Sequence, residues 1–505
     1  MGNATEEDRD MDGVQGGMVS SGMIRRVIFD KIAQLRGNSL KAKGLRSMMV
    51  LGIGTVFERG LKFVRYMILT RILMPSQFGV MAIVLVFATM FDAFTQVGIK
   101  QSVIQNKRGG EEEYLNVAWW FQVIRGLILF LIAYLASPLI SSFYQKPELL
   151  KLLQVAFLAI LFRGLISPRA YVLEKEYKFG KVVLLVQGSG VLAAIAAVVL
   201  AFILRSVWAL VIGFVAEYAI MFVLSYLFVP FKPHLKIHKD DLKELLRFAR
   251  GMFGLPILTV VALKMDVLVL GKMVSEGELG MYFLVTTFAQ LPVFLFGRIV
   301  NPVLLPAFSE KQDDKDSLYR VILKTTKAAA FFTVPIAVFI ASCASGILIV
   351  AYGQKYAEVA IPLVILSLFV LAQTQGQVFA SVYLAVGQPH LHRRFTVLRV
   401  LIIAVLIYPA VFYFQLIGAA IAVVSGYCIA LLMQVFWSRR LVDLKLGTYL
   451  RCYLPGLLLA TPIVAVIGLL RLAGVDAPIV TLGVGLVVCA AMIAIAGFLL
   501  VSSEK

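Results

Sequence analysis

Eight basic residues of this 505-residue chain lie inside long apolar runs: Arg59, Lys62, Arg65, Arg125, Arg163, Lys264, Arg298 and Lys327. Only four acids lie clearly within such runs, namely Glu58, Asp92, Glu217 and Asp266. A charge placed deep in hydrocarbon costs about 2.5 to 3.5 kcal/mol even on insertion scales, so these side chains must face protein or water and mark a pathway. Glu58 and Lys62 are spaced to pair on one helical face, and Arg65 and Lys327 are placed to snorkel from helix ends. Such pairing does not absorb the surplus of cations. Arg125, Arg163 and Arg298 have no acid within a helical turn, which points to a cavity that attracts anions, where guanidinium groups grip phosphate-like oxygens.

Glu58, Lys62 and Arg65 fall at i, i+4 and i+7, with Arg59 on the same side, so one face of the first apolar segment is unfit for lipid. The rest of the composition sets that face in context. The chain is 60% hydrophobic and 15% charged, with a mean hydropathy of +0.89. That composition excludes a soluble enzyme, a disordered chain and a disulfide scaffold. Fourteen apolar windows between residues 47 and 501 are each long enough to cross a bilayer, which takes about 20 residues. They are continuous rather than alternating, as in Val183 to Leu204, so the fold class is an all-α polytopic membrane protein and not a barrel.

The formal charge of +19 is distributed unevenly. When successive connections are assigned to opposite faces, 33 of the 48 Lys and Arg fall on one face and the ends, including Lys232 to Arg250. The other face holds seven: Arg71, Lys146, Lys151, Arg205, Lys272, Lys355 and Arg471. The positive-inside rule makes the rich face cytoplasmic, puts both termini inside and requires an even number of spans. The resulting organisation is a cytoplasmic N-terminal segment (1–45), spans 1–6 (46–229), a basic linker (230–250), spans 7–12 (251–438), and spans 13 and 14 with the C-terminus (439–505). Ile24, Ile28, Ile32 and Leu35 form an apolar stripe suited to an interfacial helix, and Asp240 to Arg250 is a second amphipathic stretch. Glu111 to Glu113 reads as a solvated cap before span 3.

An internal repeat supports the division into halves. "LTRILMPSQFGVMAIVLVF" from Leu69 aligns without gaps on "LGKMVSEGELGMYFLVTTF" from Leu270. Leu69, Gly79, Val84 and Phe87 meet identical residues at an offset of 201, and Arg71 meets Lys272. Each segment links the first and second spans of a six-helix half, which makes the halves parallel repeats about an axis along the membrane normal. Other patterns carry no chemistry. "GSGVLA" from Gly188 lies within a span, with no strand before it, and reads as small-residue packing. Cys343, Cys428, Cys452 and Cys489 lack metal spacing, His390 and His392 make at most a weak metal pair, and no Walker A pattern occurs.

"LTRILMPSQFGVMAIVLVF", followed by "GIKQSVIQ" from Gly98, resembles bacterial polysaccharide exporters. These are the lipid-linked oligosaccharide flippases of the multidrug/oligosaccharidyl-lipid/polysaccharide superfamily, in particular the branch of colanic acid and teichuronic acid exporters. The resemblance implies two six-helix lobes in a V, two further C-terminal helices, and a cavity that opens alternately to either side of the bacterial cytoplasmic (inner) membrane. The implied cargo is an oligosaccharide on undecaprenyl pyrophosphate, destined for surface polysaccharide such as lipopolysaccharide. Polymerase and glycosyltransferase machinery and membrane lipids are the implied partners, and nucleic acid is not one. Arg59, Lys62, Arg125, Arg163, Lys264 and Arg298 become candidates for phosphate and sugar contacts, with the first-span face as part of a gate. Asp92, Glu217 and Asp266 become candidates for coupling to H+ or Na+; no metal or other cofactor is called for.

Three other readings stand beside this one. A multidrug and toxin antiporter of the same superfamily carries cations and wants an acid-dominated cavity. A peptidoglycan-precursor flippase shares the cationic cavity and the fourteen spans. A membrane glycosyltransferase would need an acidic catalytic group in a sizeable extramembrane loop, which these short connections do not offer. The cationic-slot reading predicts that Arg125→Ala or Arg163→Ala abolishes transport at unchanged membrane insertion; normal export by both variants would refute it.

Overall fold

The computed structural model describes residues 40–95, 98–235, 238–252, 255–475 and 477–502. The interfacial helix expected at Gly22 to Leu35 lies outside them. The first half comprises α1 (Leu40–Ile72), α2 (Pro75–Thr95), α3 (Ile99–Gln105), α4 (Glu112–Tyr144), α5 (Glu148–Ala156), α6 (Leu158–Gly164), α7 (Arg169–Lys175), α8 (Phe179–Leu204) and α9 (Trp208–Phe228). After α10 (Lys239–Met252) come α11 (Leu255–Met273), α12 (Glu276–Ser309), α13 (Lys315–Ser342), α14 (Ala344–Ala351), α15 (Ala360–Ala385) and α16 (Pro389–Val442). The chain closes with α17 (Leu446–Arg451), α18 (Leu454–Leu472) and α19 (Pro478–Ser502). There is no strand among the described residues. Helix is the outcome hydrocarbon dictates, since it satisfies every backbone group within one segment.

Among the described residues each of the fourteen apolar windows is largely helical. Among the described residues ten helical stretches are long and apolar enough to cross a membrane, and α5–α6 with α7, bent by 62°, makes an eleventh if it counts as one span. Two departures from the simple windows are informative. The 54-residue α16 is interrupted at Gln415, whose φ of 47° no helix contains. A Cβ on Gly418 would stand only 1.8 Å from the Ala410 carbonyl oxygen, so the chain turns back on itself there and α16 is a hairpin of two arms. The fourth window likewise is a broken helix rather than a straight one. The linker stretch is helical as α10 and is tied to the connection between α3 and α4 by Arg108 to Asp241 at 2.9 Å and Asn106 to Glu244 at 2.9 Å.

The halves pack largely within themselves, α8 on α1 and α9 in the first, α15 on α12, α13 and α16 in the second. They meet where α2 lies on α11 and α12, while α18 and α19 pack on α13. The repeat explains the meeting point. Pro75 starts α2, and its counterpart turn starts α12 with a capping box between Ser275 and Glu278. Gly79 and Gly280, in register in the repeat, then stack directly against each other's helix starts. A Cβ on Gly280 would lie 1.8 Å from the Pro75 carbonyl oxygen, and one on Gly79 would lie 2.0 Å from that of Glu276. Because backbone cannot give way as a side-chain tip can, Gly280→Val is expected to cost roughly 1–3 kcal/mol or more. Thermal unfolding in detergent should show a clearly lower Tm, whereas Gly468→Ala, with nothing within 4 Å of the new methyl, should not lower it.

Candidate functional site

α1 presents Arg59, Lys62 and Arg65 to the interior of the molecule. Arg59, Lys62, Phe63, Arg65 and Tyr66 line a cavity of about 540 Å³ between the halves. Thr89 of α2 and Glu217 and Tyr218 of α9 complete the near wall; Lys264 of α11, Gln290 and Phe294 of α12, and Gln373 and Gln377 of α15 form the far wall. Four cations thus face one carboxylate. The face that the i, i+4, i+7 spacing marked as unfit for lipid is the face that lines this space.

Lys62 is the fixed member of the group. Its Nζ lies 2.9 Å from Glu58 Oε1 and 2.8 Å from Glu217 Oε1, so the expected Glu58–Lys62 pair exists and is joined by an acid from α9. Gly190 of α8, the last glycine of the "GSG" run, lies beside the group: a Cβ there would stand in ordinary contact with Glu217, Glu58 and Lys62 at 3.7 to 3.9 Å. Arg59 is held differently. Its guanidinium lies 3.7 Å from the ring centroid of Phe294, a helix of the opposite half, in cation–π contact. The Nε atoms of Arg59 and Arg65 are buried and bonded to no protein acceptor among the described residues. Guanidinium donors in that state are suited to an oxyanion, because a buried donor without an acceptor costs free energy that a ligand oxygen would recover.

The other candidates part company. Arg125 and Arg163 line a separate pocket of about 250 Å³ inside the first half, with Lys100, Gln122 and Tyr171. Arg163 is ion-paired with Asp92 of α2, a partner distant in sequence that spacing along one helix could not reveal. Arg298 is exposed and lies outside the cavity lining. The six cations are therefore not one cluster. Among the acids, Asp92 and Glu217 both sit in ion pairs. Asp266 is 5% exposed, accepts the Val267 N–H at 2.8 Å, and faces a small recess with Thr286, Gln290 and Tyr427 that borders the main cavity. Lys264 points away from it into the cavity, as the two-residue spacing requires.

Two contributors were misplaced or passed over in the sequence. Arg65 reads as a snorkelling helix-end residue but lines the cavity. Arg399 is counted by sequence with the cations of a cytoplasmic connection, yet it sits in the first arm of α16, 4.3 Å from the Tyr427 ring centroid, with Nη1 3.5 Å from Gln373 Oε1. The amides Gln373 and Gln377 were legible: an i, i+4 polar pair inside an apolar span is the same signal that flagged α1.

Residues 68–361 match the family described as "Polysaccharide biosynthesis protein". The chain belongs to this family. Among curated proteins it is 25% identical over 413 residues to the lipopolysaccharide biosynthesis protein WzxC of Escherichia coli (strain K12), covering 79% of this chain and 81% of that protein. It is 23% identical over 297 residues to the teichuronic acid biosynthesis protein TuaB of Bacillus subtilis (strain 168), covering 58% and 61%. Among solved structures it resembles the lipid II flippase MurJ in an inward closed conformation, with a TM-score of 0.70, 17% identity, and 88% and 98% of the two chains covered. An inward-facing multidrug resistance MATE transporter gives 0.62 at 16% identity, covering 76% and 94%. These likenesses establish the fold, a multi-pass bundle of apolar helices.

Arg163 and Asp92 are expected to behave as a unit. Removing one partner of a buried pair costs about 3–5 kcal/mol, and roughly half that is expected here because the Arg163 side chain is 32% exposed. Arg163→Ala should therefore lower the amount of folded protein, and Asp92→Asn in the same chain should restore part of it. Membrane-fraction yield and Tm across the four-member mutant cycle read this directly; additive effects would dissolve the coupling. The structure thereby alters the expectation of unchanged insertion for Arg163→Ala.

Proposed function

We propose that this protein is a flippase for undecaprenyl-pyrophosphate-linked oligosaccharide, carrying it from the cytoplasmic to the outer leaflet by alternating access for surface polysaccharide export. The observation that carries the reading is the charge of the cavity between the halves: among the described residues Arg59, Arg65 and Lys264 line it beside a Lys62 that Glu58 and Glu217 already pair. A pyrophosphate cannot enter hydrocarbon without its charge being met, whereas the polyprenyl tail is already at home in lipid. Cations answer the first need. The sugars find amides in Gln290, Gln373 and Gln377 and flat aromatic faces in Tyr66, Phe294 and Tyr218. Nothing in this scheme breaks or makes a covalent bond, so the protein acts as a transporter and not an enzyme.

The positive cavity disfavours a carrier of cationic drugs. Membership of the polysaccharide family favours an export substrate over a peptidoglycan precursor, even though the lipid II flippase shares the fold. Fourteen crossings follow if α1 and α11 span despite their charge and α16 spans twice, and both termini are then cytoplasmic. The lobes are assigned to 46–229 and 251–438, with the basic linker 230–250 on the inner face of the cytoplasmic membrane. Asp266 is the acid suited to H+ or Na+ coupling, since the carboxylates of Asp92 and Glu217 are committed to cations. Polymerase and glycosyltransferase enzymes would supply and consume the unit.

The test is leaflet accessibility of a pyrophosphate-linked oligosaccharide in liposomes, read with a membrane-impermeant sugar-modifying reagent. Wild-type protein should expose the inner-leaflet pool, and Arg59→Ala with Arg65→Ala should slow exposure at least tenfold. A pool that stays protected while an imposed ion gradient moves a cationic dye would replace this reading with the drug antiporter.

A further inference from the structure

Two hydrogen-bonded contacts at equivalent positions of the repeat join the halves at one end of the cavity. Arg71, in the last turn of α1, donates through Nη2 to the carbonyls of Ile349 at 3.3 Å and Val350 at 3.1 Å, in the last turn of α14. Lys272, its counterpart 201 residues later, sits in the last turn of α11 and donates to the Phe143 carbonyl at 2.6 Å, in the last turn of α4. Each cation reaches from its own half to the third window of the other. The last carbonyls of a helix have no intrahelical donor and carry the negative end of its dipole, so a cation is the partner they lack.

The local backbone is shaped around both contacts. Gly353, with φ at 115°, follows α14, and a Cβ there would lie 2.9 Å from Arg71 Nη1. A Cβ on Gly271 would lie 2.9 Å from the Tyr144 ring, whose hydroxyl donates to the Leu268 carbonyl at 3.0 Å. Lys146 and Glu276 add a cross-half ion pair at 2.8 Å. Arg71, Lys146 and Lys272 belong to the connections poor in cations, the face assigned as outer. Arg59 lies twelve residues before Arg71, about 18 Å along α1, so the contacts are set well away from the cavity floor they would close over.

We propose that Arg71 and Lys272 are the two members of an outer latch, holding the halves together on the outer side while the cavity is loaded and releasing them as it opens outward. Both contacts are solvent-exposed, so water can replace the carbonyl partners at little cost, which suits a bond broken in every cycle. The latch rests on the alternating-access reading, and it can be tested without any substrate.

The reporter is Thr287→Cys in the cavity wall, in a chain whose four cysteines are replaced by alanine. Its reaction with a membrane-impermeant maleimide is timed from the outer face of spheroplasts and from the inner face of inverted vesicles. Arg71→Ala with Lys272→Ala should speed outer labelling at least fivefold and slow inner labelling, each single variant falling between. Arg71→Lys with Lys272→Arg keeps a donor at each site and should return to the parental rates, which separates latching from general loosening. Unchanged labelling of the double alanine variant, a rise from both faces together, or an equal rise in the conservative pair overturns the latch. Equal reaction from both faces in the parent would instead overturn alternating access, and the latch with it.

Discussion

Hydrocarbon offers no donor or acceptor, and the arrangement of this protein follows from that single deficiency. Backbone groups answer it by closing into helices, which is why windows of apolar sequence become largely helical among the described residues. Charged side chains have only three answers: a protein counter-charge, an aromatic face or water. Lys62 takes the first with Glu58 and Glu217, Arg59 takes the second over Phe294, and the walls around both leave a space for the third. The cavity is thus the region where the bilayer's demand is met by protein and solvent instead of by apolar packing.

That constraint also distributes labour between the two halves. The cations of α1 stand on one wall, while Lys264 and three glutamines stand on the other, so a phosphate-bearing sugar can be met from both sides at once. The halves touch through paired glycines, where backbone packs directly on backbone. A contact made by small residues is close without being bulky, so the two helix starts meet backbone to backbone. The repeat therefore explains both the similarity of the halves and the place where they meet.

The Arg163–Asp92 pair illustrates a different use of buried charge. It joins α6 to α2 inside the first half, beside a pocket shared with Arg125, at a remove from the main cavity. Such a pair costs desolvation on both sides and repays it through geometry. Asp266 occupies the opposite condition, a buried carboxylate with a backbone donor and neutral polar neighbours. The two acids would have looked alike in the chain, and their surroundings give them different chemical prospects.

Much of the architecture was already present in the sequence, because hydropathy and the 3.6-residue period are local quantities. The helical class, the unlipid-like face of α1, the Glu58–Lys62 pair and the glycines of the repeat could all be read from spacing along one segment. Which charges share a cavity could not, since that depends on contacts between helices far apart in the chain. Arg163 meets an acid 71 positions away, and Glu217 reaches Lys62 across 155, distances at which sequence carries no register. For the same reason Arg399, counted with a cytoplasmic connection, faces Gln373, while Arg298, counted within a span, does not line the cavity. The sequence by itself determined that charge must be sheltered in this membrane protein; the packing of helix on helix decided which charges shelter one another and which remain to meet a ligand.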